Sequence, residues 1–181
     1  NSIRSKKAVF LDRDGVINRA LIREGLPYPP KSLEELEILP GAFDSLRLLK
    51  ESGFLLIVVT NQPDVGRGIQ KKQTVKKMHD FLLKKLPLDF IYVCWHGQDG
   101  ECDCRKPLPG LLYKAEEDWH IDLKNSFMIG DRWRDIGSGN AAGCKTILID
   151  YQYKESLKYL PDYTATSICD ASEQIIKQNN I

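Results

Sequence analysis

Two aspartates, Asp12 and Asp14, follow the apolar run Ala8-Val9-Phe10-Leu11 and precede Gly15. Alternation along an extended chain would send both carboxylates to one side, and a turn opening at Asp12 spreads them around one point. Like charges that close are costly unless a cation lies between them or one carries a proton. Three later stretches bring matching chemistry. Thr60-Asn61 offers a hydroxyl and an amide, Arg105-Lys106 two cations, and Gly130-Asp131 with Asp135 two more carboxylates. Together they supply oxygen ligands for a hard cation such as Mg²⁺, which takes a few carboxylates along with water and substrate phosphate. A lysine beside such a cation suits a phosphoryl group.

A second constellation, Cys94-Trp95-His96 followed by Cys102-Asp103-Cys104, has the spacing C-x-H-x5-C-x-C. Three thiolates and one imidazole within eleven residues match a closed tetrahedral Zn²⁺ site. All four positions come from protein, so its expected role is structural, pinning a loop over 94–104. That loop ends directly before Arg105-Lys106 and would fix the pair. Cys144 and Cys169 read as buried small hydrophobes, and His79 and His120 as structural residues.

These groups need strands to carry them. Apolar runs predict strands at 8–11, 54–59, 89–93, 126–129 and 145–149, with a weaker one at 163–168. Helices are expected at 40–52, 70–86, 110–119, 133–142 and 171–177. In the first helix Phe43, Leu46 and Leu49 should face inward. In the second, Val75, Met78 and Leu82 should do so, leaving its lysines on a solvated face. The alternation means an α/β fold with a mainly parallel sheet, in which ligands bind at the carboxyl ends of the strands. Residues 16–40 contain Pro27, Pro29 and Pro30, which forbid a continuous helix, and read as a flap beside the site.

The 181 residues fit a single domain, 1–181, with a real core. Apolar content of 42% and charged content of 28% are those of an ordinary soluble protein. A net charge of +1 argues against nucleic-acid and membrane partners, as does the lack of an apolar run near the ~20 residues of a span. No secretory signal precedes the first strand, so the cytoplasm is the expected compartment, and a monomer the expected state.

Asp12-Arg13-Asp14-Gly15, Thr60-Asn61, Lys106 and Gly130-Asp131…Asp135 resemble, in order, the four motifs of the haloacid dehalogenase (HAD) superfamily. The resemblance covers about residues 7–150. It implies a three-layer Rossmann-like fold without a large cap, and a Mg²⁺-dependent phosphomonoester hydrolase working through an aspartyl-phosphate. By resemblance Asp12 is the nucleophile, Asp14 the general acid and then base, and Thr60 and Lys106 hold the phosphoryl oxygens. Asp12, Asp131 and the backbone carbonyl of Asp14 would bind Mg²⁺, with Asp135 as inner support. The zinc pattern running into Arg105-Lys106-Pro107 is similar to the branch of heptose-bisphosphate and histidinol-phosphate phosphatases. Val65-Gly66-Arg67-Gly68 and Leu39-Pro40-Gly41 look more like the heptose type. Asn61, Gln62, Arg67 and Arg105 are then candidate substrate contacts. Pro63-Asp64 departs from the Ser-Gly usual in that branch, and Val16 from the commoner Thr.

Overall fold

β1 (Ala8–Leu11) lies inside the sheet, and its four residues are fully buried. In the computed structural model, which describes residues 4–97 and 101–180, the strands that follow are β2 (Leu21–Arg23), β3 (Leu26–Tyr28), β4 (Leu55–Asn61), β5 (Phe90–Cys94), β6 (Phe127–Gly130), β7 (Lys145–Ile149) and β8 (Tyr163–Ala165). The main sheet has the order β5-β4-β1-β6-β7-β8, and every pairing in it is parallel. β1 is the point where strand order turns back: β4 and β5 extend one way, β6 to β8 the other. Parallel strands covered on both faces read as continuous apolar runs, which is why Ala8–Leu11 carries no alternation.

The helices are α1 (Ala42–Glu51), α2 (Pro63–Gly66), α3 (Lys72–Lys85), α4 (Gly110–Trp119), α5 (Trp133–Ala142) and α6 (Ile168–Asn179). Val9 and Leu11 pack with Leu46 and Leu49 of α1, Leu82 of α3 and Ile175 of α6. Ala8 and Phe10 face the other layer, with Leu112 and Ala115 of α4. The result is three layers around a central sheet, with no large cap. Truncating a side chain such as Phe10 to Ala would cost about 3–5 kcal/mol. Among the described residues no helix is long and apolar enough to cross a membrane.

Some local expectations change. Phe43 is about half exposed rather than inward, while Ala42 takes the buried place beside Leu46 and Leu49. Cys169 is exposed, unlike Cys144. The segment 16–40 contains an antiparallel hairpin, β2–β3, turned by Glu24 and Gly25, both with positive φ. α2 follows β4 at once, with Pro63 at its first position, where a missing N–H costs nothing. The six lysines of the α3 region (71, 72, 76, 77, 84 and 85) are all exposed.

Candidate active site

The carboxyl ends of β1, β4 and β6 and the Arg105–Lys106 segment ahead of α4 meet around a cavity of about 350 Å³. Asp12, Asp14, Asn61, Gln62, Arg67, Arg105, Lys106, Asp131 and Asp135 all line it. Thr60 does not: its side chain is buried under the floor, and its Oγ1 accepts from Gln62 Nε2 at 3.0 Å.

At the centre, Asp12, Asp131 and Asp135 each bring one carboxylate oxygen within 4.8 Å of the other two. Lys106 Nζ donates to Asp12 Oδ1 at 2.9 Å, to Asp135 Oδ1 at 2.6 Å and to the Val59 carbonyl at 2.9 Å. Burial alone would lower the Lys106 ammonium, but Asp12 and Asp135 outweigh it and the net direction is upward. Asn61 holds the lysine's backbone from both sides: its Oδ1 accepts from Lys106 N at 3.1 Å and its Nδ2 donates to Lys106 O at 3.3 Å.

One ammonium cannot satisfy three buried carboxylates. Burial first, then Asp12, carries Asp135 up to about 6. Burial, then Asp12 and Asp135, pushes Asp131 well above the carboxylate range. Tyr153 donates to Asp131 Oδ2 at 2.7 Å, while Oδ1 is buried with no partner. A buried anionic oxygen left bare among like charges is what a divalent cation relieves. The donor set therefore fits Mg²⁺. Gly15, at φ +85°, lets the chain turn against this cluster, and a Cβ there would collide with Asp131 Oδ2.

Asp14 stands apart from the three. Its Oδ1 accepts from the Arg13 guanidinium and from Asn18, so its closest charged neighbour is a cation rather than a second carboxylate.

Cys94, His96, Cys102 and Cys104 also converge, each with a ligand atom within 4.8 Å of the rest. His96 Nδ1 lies 3.5 Å from Cys94 Sγ and 3.3 Å from Cys104 Sγ, and Cys94 Sγ lies 3.8 Å from Cys102 Sγ. A tetrahedron with bonds of about 2.0 Å to nitrogen and about 2.3 Å to sulfur has edges of about 3.5–3.8 Å. The four residues thus fit one metal ion; Gln98–Gly100 of the loop lie outside the described residues. Burial, then Cys94, drives the Cys104 thiol far up, the penalty that a cation among thiolates removes.

The loop touches the cavity wall at two places. It runs directly into Arg105 and Lys106, and it packs under α2. A Cβ on Gly66 would come within 2.5 Å of both Gly97 N and Trp95 O.

The wall includes part of the flap expected beside the site, and two arginines that no motif marked. Leu26, Pro27, Tyr28 and Pro29 come from the β2–β3 hairpin and its exit, and Arg132 and Arg134 from the start of α5. Arg132 is paired with Glu155 at 2.7 Å, and Arg67 with Asp64 at 3.2 Å. Among the described residues no carboxylate pairs with Arg105 or Arg134. Burial, then the charges of Arg132 and Arg105, press the Arg134 pKa down.

The arrangement can hold a phosphoryl group against a divalent cation and offer it a carboxylate nucleophile. Comparison with known proteins agrees with that class. A HAD-hydrolase-like family model matches residues 103–171. The D-glycero-beta-D-manno-heptose-1,7-bisphosphate 7-phosphatase of Escherichia coli is 34% identical over 97% of this chain and 96% of its own. The D-glycero-alpha-D-manno-heptose-1,7-bisphosphate 7-phosphatase of Campylobacter jejuni is 38% identical over 82% of this chain and 86% of its own. Among solved structures, the D,D-heptose 1,7-bisphosphate phosphatase of B. bronchiseptica, complexed with magnesium and phosphate, superposes with a TM-score of 0.81 at 28% identity, covering 95% of this chain and 99% of that one. The chain belongs to the HAD family and is a phosphatase.

Proposed function

We propose that this phosphatase removes the 7-phosphate of D-glycero-D-manno-heptose 1,7-bisphosphate. One observation carries the reading: the cavity that gathers Lys106 with the carboxylates of Asp12, Asp131 and Asp135 also presents two guanidiniums, Arg105 and Arg134, that have no carboxylate partner among the described residues. A substrate with a second phosphate would meet them, since a guanidinium binds two anionic oxygens at once. The relatives described above support the sugar.

Asp12 attacks the phosphorus, and the bond to the ester oxygen breaks as Asp14 gives that oxygen its proton. Asp14, now a carboxylate, takes a proton from water, whose oxygen attacks the phosphorus and frees Asp12. Lys106 holds the transferring oxygens, and Thr60 lies one hydrogen bond behind Gln62. Asp12, Asp131 and the Asp14 carbonyl, with Asp135 beside them, would hold Mg²⁺, which offsets the repulsion between nucleophile and phosphate when bound. Cys94, His96, Cys102 and Cys104 would hold Zn²⁺ and keep the Arg105–Lys106 segment in place.

The test compares phosphate release from both anomers of heptose 1,7-bisphosphate, from fructose 1,6-bisphosphate and from histidinol phosphate. The expected result is the highest kcat/KM for a heptose bisphosphate, and none with Asp12→Asn. A preference for histidinol phosphate would overturn the substrate, and Mg²⁺-dependent turnover by Asp12→Asn the mechanism.

A further inference from the structure

The acid–base carboxylate of this reaction is held from behind. Asp14 Oδ1 accepts from Arg13 Nε at 3.1 Å, Arg13 Nη2 at 2.8 Å and Asn18 Nδ2 at 2.9 Å. Among the described residues none donates to Oδ2, the oxygen left for chemistry. Arg13 itself is fully buried, and a guanidinium out of water needs partners for its N–H groups. Its remaining arm, Nη1, lies 3.0 Å from Nε2 of His79. His79 sits on the buried face of α3 with Val75, Met78 and Leu82.

An arginine only donates, so His79 must present a lone pair at Nε2 and keep its proton on Nδ1. Burial, then the charge of Arg13, carries His79 down to about 3, against the weaker pull of Asp14. The ring is neutral wherever the enzyme would work.

We infer that His79 is a positioning residue for Asp14: it fixes the plane of the Arg13 guanidinium and so the direction in which Asp14 presents its free oxygen. A guanidinium tied only to Asp14 could swing with it as one unit. Tied also to α3, it cannot. The inference rests on reading Asp14 as the general acid.

A purely structural histidine would affect all substrates alike. In kcat/KM, which ends at formation of the aspartyl-phosphate and leaves out the later attack of water, a positioning one matters only where the leaving oxygen needs a proton. The experiment therefore compares kcat/KM for a sugar phosphate, an alkyl ester, with that for p-nitrophenyl phosphate, whose leaving group departs as an anion. His79→Leu and His79→Asn remove the acceptor at the Nε2 position, the second while keeping polarity should the first not fold. His79→Gln puts an amide oxygen near that position. The expected outcome is a roughly ten- to hundredfold loss on the sugar phosphate for Leu and Asn, a fraction of what general acid catalysis supplies. On p-nitrophenyl phosphate the change should stay within about threefold, and Gln should recover most of the loss. Asp14→Asn is the control. If Asp14→Asn is selective for the sugar phosphate but the His79 variants are uniform or silent, the inference alone is overturned. If Asp14→Asn itself reduces both substrates equally, the reading of Asp14 falls and the inference with it.

Discussion

Lys106 and Arg105 are adjacent in sequence and opposite in role. Lys106 neutralises Asp12 and Asp135 in a buried site, so Lys106→Ala should abolish turnover of every phosphate ester. It should also destabilise the metal-free protein by about 3–5 kcal/mol, the cost of stranding a buried charge, with part recovered on adding Mg²⁺; thermal melts with and without the ion check this. Arg105→Ala and Arg134→Ala should each forfeit about 1.5–3 kcal/mol of binding to a second phosphate. That is a roughly ten- to hundredfold rise in KM for a bisphosphate, with little change for a small monophosphate. Equal losses on both would point to a monophosphate substrate. Asp12 and Asp131 were legible because each follows an apolar run at a strand end, and Lys106 and Asp135 because they fall at the spacing of a known set of motifs. Arg134 was not, since a helix of the composition Trp-Arg-Asp-Ile gives no sign of which side faces a cavity. Nor was the support behind Asp14: His79, which reaches it through Arg13, lies 65 residues beyond it, and only α3 packing brings it there.

At the scale of elements, the cysteine loop and α2 form one support. Gly66 has no room for a side chain against Gly97 and Trp95, so Gly66→Ala should push α2 and Arg67 off the cavity. We expect a raised KM with Mg²⁺ affinity unchanged, read by kinetics and by calorimetric titration of the ion. Purified protein should carry about one zinc per chain. Cys102→Ser, or a strong chelator, should lower the melting temperature and raise KM through Arg105; protein prepared without chelators that holds no zinc would remove the assignment. Strands and long helices were readable within a few residues from apolar runs and glycine stops, as at Gly53, with φ 96°. The β2–β3 hairpin was hidden because its strands are three residues each and one contains Pro27. Such short pieces are held by contacts rather than by propensity. On the inward face of α1, Leu46 and Leu49 were read correctly, and only Phe43 gives way to Ala42, because Pro40-Gly41 precedes the helix proper, which starts at Ala42.

For the whole molecule, His79 also shapes the response to acid. Its pKa falls from 6.5 in the open chain to about 3 when folded, so the folded state binds fewer protons between those values. Its contribution to stability is complete above about pH 6.5 and is lost as pH falls toward 3. Urea midpoints measured from pH 7.5 down to pH 4 should therefore drop more steeply in the wild type than in His79→Gln; parallel curves would contradict this. The central place of β1 sets a timetable for synthesis as well. β1 is flanked by β4 and β6, and β6 begins more than a hundred residues later. At about 5–20 residues per second, Ala8–Leu11 leaves the ribosome roughly 5–20 s before its second neighbour exists. Throughout that interval at least one edge of it stays unpaired, an apolar segment of the kind that chaperones bind. A nascent chain halted before Phe127 should crosslink to such a chaperone through a probe at Phe10, and the released full chain should not.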